Sequence, residues 1–90
     1  MNLLPGKVIG RVVATKKYET LEGGKLLLIQ PKTWTGEDDG EPLVALDAVG
    51  AGAGEFVFYV GAREAAVAFR ELPPVDAAIV GIIDGVALGK

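Results

Sequence analysis

Residues 47–55, Asp-Ala-Val-Gly-Ala-Gly-Ala-Gly-Glu, carry the residue types in this chain best suited to chemistry. Glycine-rich loops permit positive φ angles and close backbone approach, and they present backbone N–H groups to anions such as phosphate. A dinucleotide site, however, needs a helix that opens directly after the glycines. Here an apolar run, residues 56–60, follows and predicts a strand, and Glu55 would repel a phosphate. Nucleotide binding is therefore disfavoured.

Other catalytic constellations fail on residue type or on distance. The chain has no Cys and no His, which removes thiolate nucleophiles, disulfides, the usual zinc sites and the commonest general base. Asp76 and Asp84 bracket the last predicted strand and lie about 25 Å apart at ~3.3 Å per residue, whereas glycosidase carboxylates need ~5–9.5 Å. We predict no catalytic, cofactor-binding or metal-binding residue and no cofactor, and we expect a protein that is not an enzyme.

Composition narrows the partners and the compartment. The net charge of −3 and the scattered basic residues give no positive field for a nucleic acid backbone. No apolar run approaches the roughly 18 residues of a membrane span. The first residues lack the charged segment and long apolar core of a signal peptide. We expect a cytoplasmic protein without nucleic acid or membrane partners.

The loop and the carboxylates must be positioned by short strands. Ninety residues predict one domain, residues 1–90. Branched and aromatic residues between turn signals predict five strands and an Ala-rich segment predicts one short helix at 61–70. The predicted strands cover residues 7–15, 25–30, 43–47, 56–60 and 77–84. Gly10 marks a bulge or close contact in the first strand, and residues 32–42 form an acidic, solvated loop. The pattern favours a mainly β fold, a small closed or nearly closed barrel.

The strands also indicate self-association. A monomeric small barrel needs apolar side chains only at alternate positions, because its outer face meets water. Residues 26–29, 56–60 and 77–83 are apolar on both faces. One helix of about ten residues is too small to cover the excess, so we expect a homo-oligomer.

Four sequence pieces, in order and spanning nearly the whole chain, resemble the bacterial microcompartment vertex proteins of the EutN/CcmL type. The pieces are Gly6-Lys-Val with Thr15-x-Lys17, then Leu21-x-Gly-x-Lys-Leu-Leu27 with Gln30-Pro31, then Asp47-x-Val-Gly-Ala-Gly-x-Gly-Glu55, and Pro74-Val-Asp-Ala-Ala-Ile-Val-Gly-Ile-Ile-Asp84. The resemblance implies a five-stranded barrel similar to an OB-fold, assembled as a cyclic homo-pentamer. Such pentamers close the vertices of a polyhedral shell whose facets are built from hexameric shell proteins.

In such a pentamer the glycine-rich loop has two interpretations, which stay open at this point. It lies near the five-fold axis as a subunit interface or pore loop, or it is only a tight connection between strands. The candidate residues are Gly50, Ala51, Gly52, Ala53, Gly54 and Glu55. Glu55 accepts backbone N–H groups of an adjoining chain or is solvated, and Asp47 is expected to behave similarly.

Two more alternatives follow from the barrel. Trp34, alone in the polar loop, anchors that loop on the barrel or contacts a facet protein. An OB-like barrel also serves in other proteins as a binding module for small ligands, oligonucleotides or oligosaccharides. That function needs basic and stacking aromatic residues on one face, and the chain has few of either. We therefore favour the structural vertex function.

Overall fold

The computed structural model describes residues 3–13, 25–47, 49–61 and 76–87, and these residues form a closed five-stranded barrel. The strands are β1 (Leu4–Arg11), β2 (Lys25–Pro31), β3 (Leu43–Asp47), β4 (Phe56–Gly61) and β5 (Ala77–Ile82). Their order around the barrel is β1-β2-β3-β5-β4. Strands β3 and β5 are parallel, and the other described pairs are antiparallel. The predicted five-stranded barrel is confirmed.

The core of the barrel is mainly aliphatic and is built from alternate strand positions. In β2, Leu27 and Ile29 are buried while Leu26 and Leu28 are only half-buried, as expected for a strand with a single inward face. The core residues share near-complete burial and come from all five strands and from the glycine-rich loop. They are Val8, Leu27, Ile29, Ala45, Ala51, Val57, Tyr59, Ala77 and Ile79.

The predicted limits of the first strand are wrong at its start. Strand β1 begins at Leu4, three residues before the predicted Lys7, and ends at Arg11. Its first four residues pair with β4, and the backbone N–H of Lys32 donates to the Pro5 carbonyl at 3.0 Å. The Leu-Pro-Gly sequence has low strand propensity, so pairing with neighbouring strands overrides it. The predicted residues 14 and 15 lie outside the described part of the chain.

The bulge predicted at Gly10 is confirmed. The register between β1 and β2 shifts between Val8 and Gly10, which leaves Ile9 as the extra residue. A second shift separates Phe58 from Tyr59 in the pairing of β4 with β5. Strand β5 ends at Ile82, two residues before its predicted end at Asp84.

Apolar residues also occupy the outer face of the barrel, as the sequence predicted. Val60 and Ala78 face one another in the register of β4 and β5, and with Val80 they form a second apolar cluster. Elsewhere on these strands Phe56 and Ile82 are more than one-third exposed, at 37% and 36%. The surplus of apolar side chains therefore has only partial cover within the described chain.

The predicted start of the helix at Gly61 is wrong, because Gly61 is the last residue of β4 and pairs with Ala77. Residues 62–70 lie outside the described residues. Within the described ranges, no helix is long and apolar enough to cross a membrane.

Candidate functional site

The glycine-rich loop connects β3 to β4 and is bonded to β1. The backbone N–H of Gly54 donates to the Val8 carbonyl at 2.8 Å, and the N–H of Val8 donates to the Glu55 carbonyl at 3.0 Å. The loop therefore continues the ladder between β1 and β4 and ends where Phe56 begins β4. A strand follows the glycines, as predicted, so the loop does not have the strand-glycine-helix context of a dinucleotide site.

Asp47 holds the glycine-rich loop from inside the barrel. It is buried, although the sequence analysis left it either solvated or bonded to an adjoining chain. The residue is 2% exposed, and its carboxylate accepts the backbone N–H groups of Val49 and Ala51, each at 3.0 Å. One carboxylate thus receives two loop donors, which satisfies a buried charge that would otherwise be costly. The small Ala51 side chain, 1% exposed, enters the core beneath the loop.

Lys25 lies beside this carboxylate because β2 and β3 bring the two residues into register. Its Nζ atom is 3.9 Å from Asp47 Oδ2 and donates a long hydrogen bond of 3.5 Å to the Ala51 carbonyl. Lys25 therefore contacts the glycine-rich loop of its own chain.

Glu55 also bonds within the loop. Its carboxylate accepts the N–H of Gly52 at 2.5 Å, and its own N–H donates to the Gly52 carbonyl at 3.1 Å. The sequence analysis expected Glu55 to contact an adjoining chain or solvent, and this bond to its own loop is neither of the two. The side chain closes a short turn over residues 52–55, while the residue itself stays exposed.

The positions of the loop are occupied by glycine for different structural reasons. Gly50 and Gly54 each have a φ of 85°, a backbone conformation that favours glycine. Gly52 does not have a positive φ, and a Cβ added there would lie 3.3 Å from the Glu55 carboxylate. The tight connection between strands therefore explains Gly50 and Gly54. It explains Gly52 less well, because the exposed Glu55 side chain has room to move.

Five backbone donors of the loop are already used, which argues against a phosphate cradle. The N–H groups of Val49 and Ala51 go to Asp47, and that of Gly52 goes to Glu55. Those of Gly54 and Glu55 go to backbone carbonyls. A phosphate would have to displace two carboxylates that already carry negative charge, so anion binding at this loop is unfavourable.

The carboxylates at the two ends of β5 have separate environments. Asp76 Oδ2 accepts the N–H of Val44 at 3.0 Å, and the Asp76 N–H donates to the Val44 carbonyl at 3.1 Å. This reciprocal pair joins β3 to the start of β5. Asp84 lies after β5 at the edge of two surface grooves. Among the described residues, no group of three or more potential metal ligands converges.

Trp34 is held in an ordered turn and remains 47% exposed. The N–H of Thr33 donates to the Glu37 carbonyl at 2.7 Å, and Lys32 forms an ion pair with Asp38 across the base of the turn. The indole lines a groove together with Pro5, Phe56 and Val86. The acidic loop is therefore solvated but structured, and its only tryptophan keeps about half of its surface free.

Comparisons with known proteins show the family to which the chain belongs. The family described as ethanolamine utilisation protein EutN/carboxysome matches residues 1–84. The chain belongs to the EutN/CcmL family. The family assignment made from the sequence motifs is thereby confirmed.

Relatives within the family are named as shell vertex proteins. The bacterial microcompartment shell vertex protein EutN of Salmonella typhimurium is 41% identical over 83 residues, which are 91% of this chain and 84% of that protein. The carboxysome shell vertex protein CcmL of Gloeobacter violaceus is 40% identical over 84 residues, or 92% of this chain and 84% of that protein. A solved structure of the GrpN pentameric microcompartment shell protein from Rhodospirillum rubrum matches with a TM-score of 0.78 at 42% identity, covering 94% of this chain and 99% of that one.

The buried role of Asp47 was missed from the sequence, although one signal was present. An aspartate that ends an apolar strand and precedes a glycine-rich loop is typical of a side chain that accepts the N–H two residues later. Its burial depends on the register that sets Lys25 opposite, which the sequence did not predict.

Proposed function

We propose that the protein is a structural shell protein of a bacterial microcompartment and closes the vertices of the polyhedral shell as a cyclic homo-pentamer. The observation that carries this proposal is the family match over residues 1–84 to proteins named as shell vertex proteins, one of them a pentamer. The protein acts as a single domain in the cytoplasm, as part of the shell. Its function is mechanical and needs no cofactor.

The closed barrel restricts how copies can join. Each described strand is paired on both sides, so the described strands offer a neighbouring copy no free edge for strand addition. Contacts between these strands and a neighbouring copy are made by side chains on the outer face of the barrel. The exposed apolar residues of β4 and β5 supply such a surface.

The partners outside the pentamer are hexameric facet proteins of the same shell. A cyclic pentamer has the symmetry of a vertex and cannot tile a flat hexagonal facet, so it ends the facets where they meet. Contacts at the rim rest on shape and modest polar complementarity, because facets must join and align reversibly. The acidic loop, with Glu37, Asp38 and Asp39 exposed, supplies charge for such contacts.

The glycine-rich loop lies near the five-fold axis in this proposal. Gly52 supports the placement, because neither a positive φ nor a rigid neighbour within the chain requires glycine there. Crowding by the same loop of other copies supplies a reason. Of the candidate residues, Gly50, Gly52, Ala53, Gly54 and Glu55 then face the axis or the adjoining subunit, whereas Ala51 is buried in the core of its own barrel.

The alternative binding-module function receives less support. The loop N–H groups of Ala51 and Gly52 are bonded to Asp47 and Glu55, and these two carboxylates add negative charge at the place where an anionic ligand would approach. Oligonucleotide binding by a barrel needs a positive groove with stacking aromatic residues. The net charge of −3 opposes it. The geometry supports neither catalysis nor nucleotide binding.

The test of the proposal is shell closure. The cognate facet proteins are expressed with and without this chain, and the particles are examined by electron microscopy and by exclusion of a large probe. We expect sheets, tubes or shells with open corners without the chain, and closed polyhedra that exclude the probe with it. Closed, probe-tight shells without this chain or any other vertex homologue would refute the capping function.

A further inference from the structure

The chain contains two Asp-Gly steps, Asp39-Gly40 in the acidic loop and Asp84-Gly85 after β5. Such a step is chemically labile, because the aspartate carboxyl group and the next backbone nitrogen can close a five-membered ring. Glycine favours the closure, since it has no Cβ to hinder the approach. All four residues are exposed. The two steps therefore differ mainly in how the fold holds the backbone around each of them.

The Asp39-Gly40 step is held on both sides by hydrogen bonds. The Asp39 N–H donates to the Pro31 carbonyl at 2.9 Å. The Gly40 carbonyl accepts the Gln30 side-chain amide Nε2 at 2.9 Å. Ring closure rotates the peptide between Asp39 and Gly40, so it has to disrupt these bonds and lose what they contribute.

The Asp84-Gly85 step has no comparable ties. The Ile83 N–H donates to the Phe56 carbonyl at 2.8 Å, which anchors the residue before the step. Beyond it, the backbone of residues 84–87 makes no hydrogen bond to backbone groups elsewhere in the described part of the chain. A Cβ added at Gly85 would meet nothing within 4 Å. Ring closure here therefore has space and breaks none of the backbone bonds that the structure describes.

We propose that Asp84 is a site of spontaneous isomerisation to isoaspartate, and that the fold protects Asp39 from the same reaction. The Gly85 nitrogen attacks the side-chain carboxyl carbon of Asp84, and the carboxyl hydroxyl leaves with the amide proton as water. Water then adds to the former backbone carbonyl carbon of this succinimide ring, and the bond from that carbon to the Gly85 nitrogen breaks. The inference does not depend on the proposed vertex function.

The product changes the chain beside a surface groove. The main chain now runs through the former side chain of Asp84 and is one methylene longer, while mass and net charge stay the same. Val86, two residues further on, lines a groove together with Trp34. Because Ile83 stays anchored to Phe56, the extra methylene displaces Val86 relative to the indole. Trp34 is the only tryptophan of the chain, so its fluorescence reports this displacement.

Peptide mapping measures the two steps separately in one sample. Trypsin, which cleaves after Lys and Arg, leaves Asp39 in the peptide 33–63 and Asp84 in the peptide 71–90. The folded, assembled protein and the same protein unfolded in urea are kept at neutral pH and sampled over weeks. Isoaspartate at each position is quantified by chromatography and electron-transfer fragmentation, because the reaction leaves the mass unchanged.

We expect isoaspartate in the folded protein to form at least about tenfold faster at Asp84 than at Asp39, because hydrogen bonds hold only the Asp39 step. In urea the two rates should be similar. Equal rates in the folded protein, or a faster reaction at Asp39, would overturn the inference. A folded protein that forms no isoaspartate at residue 84 while the urea sample does would also overturn it. Shell closure tests the vertex function separately, so that function would stand.

Two variants test the physical reasons. Gly85→Ala should slow the reaction at Asp84 by about tenfold or more, because the added methyl group hinders the attack, and the open space at Gly85 leaves the fold intact. Gln30→Ala removes the bond to the Gly40 carbonyl and should speed the reaction at Asp39 by roughly threefold or more, with Asp84 unchanged. An Asp39 rate that ignores Gln30→Ala would contradict the protection by the fold.

Trp34 fluorescence gives a second readout. The emission of wild type should shift in step with the isoaspartate measured at residue 84, and that of Gly85→Ala should stay constant over the same weeks. Emission that does not change while isoaspartate accumulates would contradict the displacement of Val86.

Discussion

Asp47 is the residue on which the shape of the glycine-rich loop most depends. Its buried carboxylate joins three parts of the chain: the end of β3, the loop backbone and the Lys25 side chain. The sequence predicted the loop and its glycines, but it left Asp47 either solvated or bonded to backbone N–H groups of an adjoining chain. The reason is physical, since burial of a polar residue follows from strand register, and a single strand does not define its own register.

Asp47→Ala should lower the free energy of unfolding by about 2–3 kcal/mol, because it leaves the buried Ala51 N–H without an acceptor. Asp47→Asn keeps one oxygen acceptor and should lose less. Urea unfolding at one fixed protein concentration measures both, since assembly makes stability depend on concentration. Glu41→Ala, at an exposed residue of the acidic loop, is the control and should change little. Equal stability of Asp47→Ala and wild type would refute the role of this carboxylate.

Tyr59 gives the barrel a pH dependence at alkaline pH. Its side chain is 5% exposed, and burial, assisted by the nearby Asp39 carboxylate, raises the pKa of its phenol above the usual 10.0. The folded state therefore prefers the neutral phenol more than the unfolded state does. The resulting stability is fully present below about pH 10 and is lost as pH rises through the raised folded value.

Tyr59→Phe should remove this contribution. Urea midpoints measured from about pH 8 to about pH 11 should fall more steeply for wild type than for the variant in the alkaline range. Other groups titrate in both proteins, so the difference between the two curves isolates Tyr59. Parallel curves would show that the phenol does not titrate differently in the folded state.

At the scale of elements, a close contact between β4 and β5 requires a glycine. Phe58 and Gly81 are paired, and a Cβ at Gly81 would lie under 3.0 Å from three atoms of the Phe58 ring. Gly81→Ala should cost about 1–3 kcal/mol by overpacking. Gly85→Ala is the control, because nothing lies within 4 Å of a Cβ there. Thermal unfolding of both variants measures the difference, and equal melting temperatures would mean that the ring moves away freely.

The glycine-rich loop is the element that distinguishes folding from assembly. Gly52→Leu should leave the circular dichroism spectrum near that of wild type, because within one subunit only the Glu55 side chain stands in the way. In the pentamer the same side chain should crowd the axis and reduce the assembled fraction seen by size-exclusion chromatography. Gly52→Ala, a smaller change, should assemble better. A pentamer of normal size in Gly52→Leu would show that the loop has room and lies away from the axis.

The sequence predicted the number of strands better than their limits. Alternating and branched residues marked β2, β3 and β4 to within one residue, since each lies between clear turn signals. The start of β1 was missed because Pro5 and Gly6 have low strand propensity. This part of the strand forms through pairing with β2 and β4. The bulge at Gly10 was predicted, whereas the second register shift, in β5, had no local signal.

At the scale of the whole molecule, the described chain is a closed barrel whose outer surface carries exposed apolar side chains. The sequence predicted this surplus from strands that are apolar on both faces. It did not predict where the exposed groups gather, because residues 3, 34, 56 and 86 meet only after the barrel closes. Composition and periodicity indicate an oligomer, and the five-fold symmetry comes from the family alone.

The number of copies in the assembly tests the central claim most directly. Native mass spectrometry at micromolar protein should give a single main species of about 46.5 kDa, five times the 9.3 kDa chain. A pentamer of this mass is what a vertex of a polyhedral shell requires. A monomer or dimer would contradict the assembly, and a hexamer would contradict the vertex function even for a chain of this family.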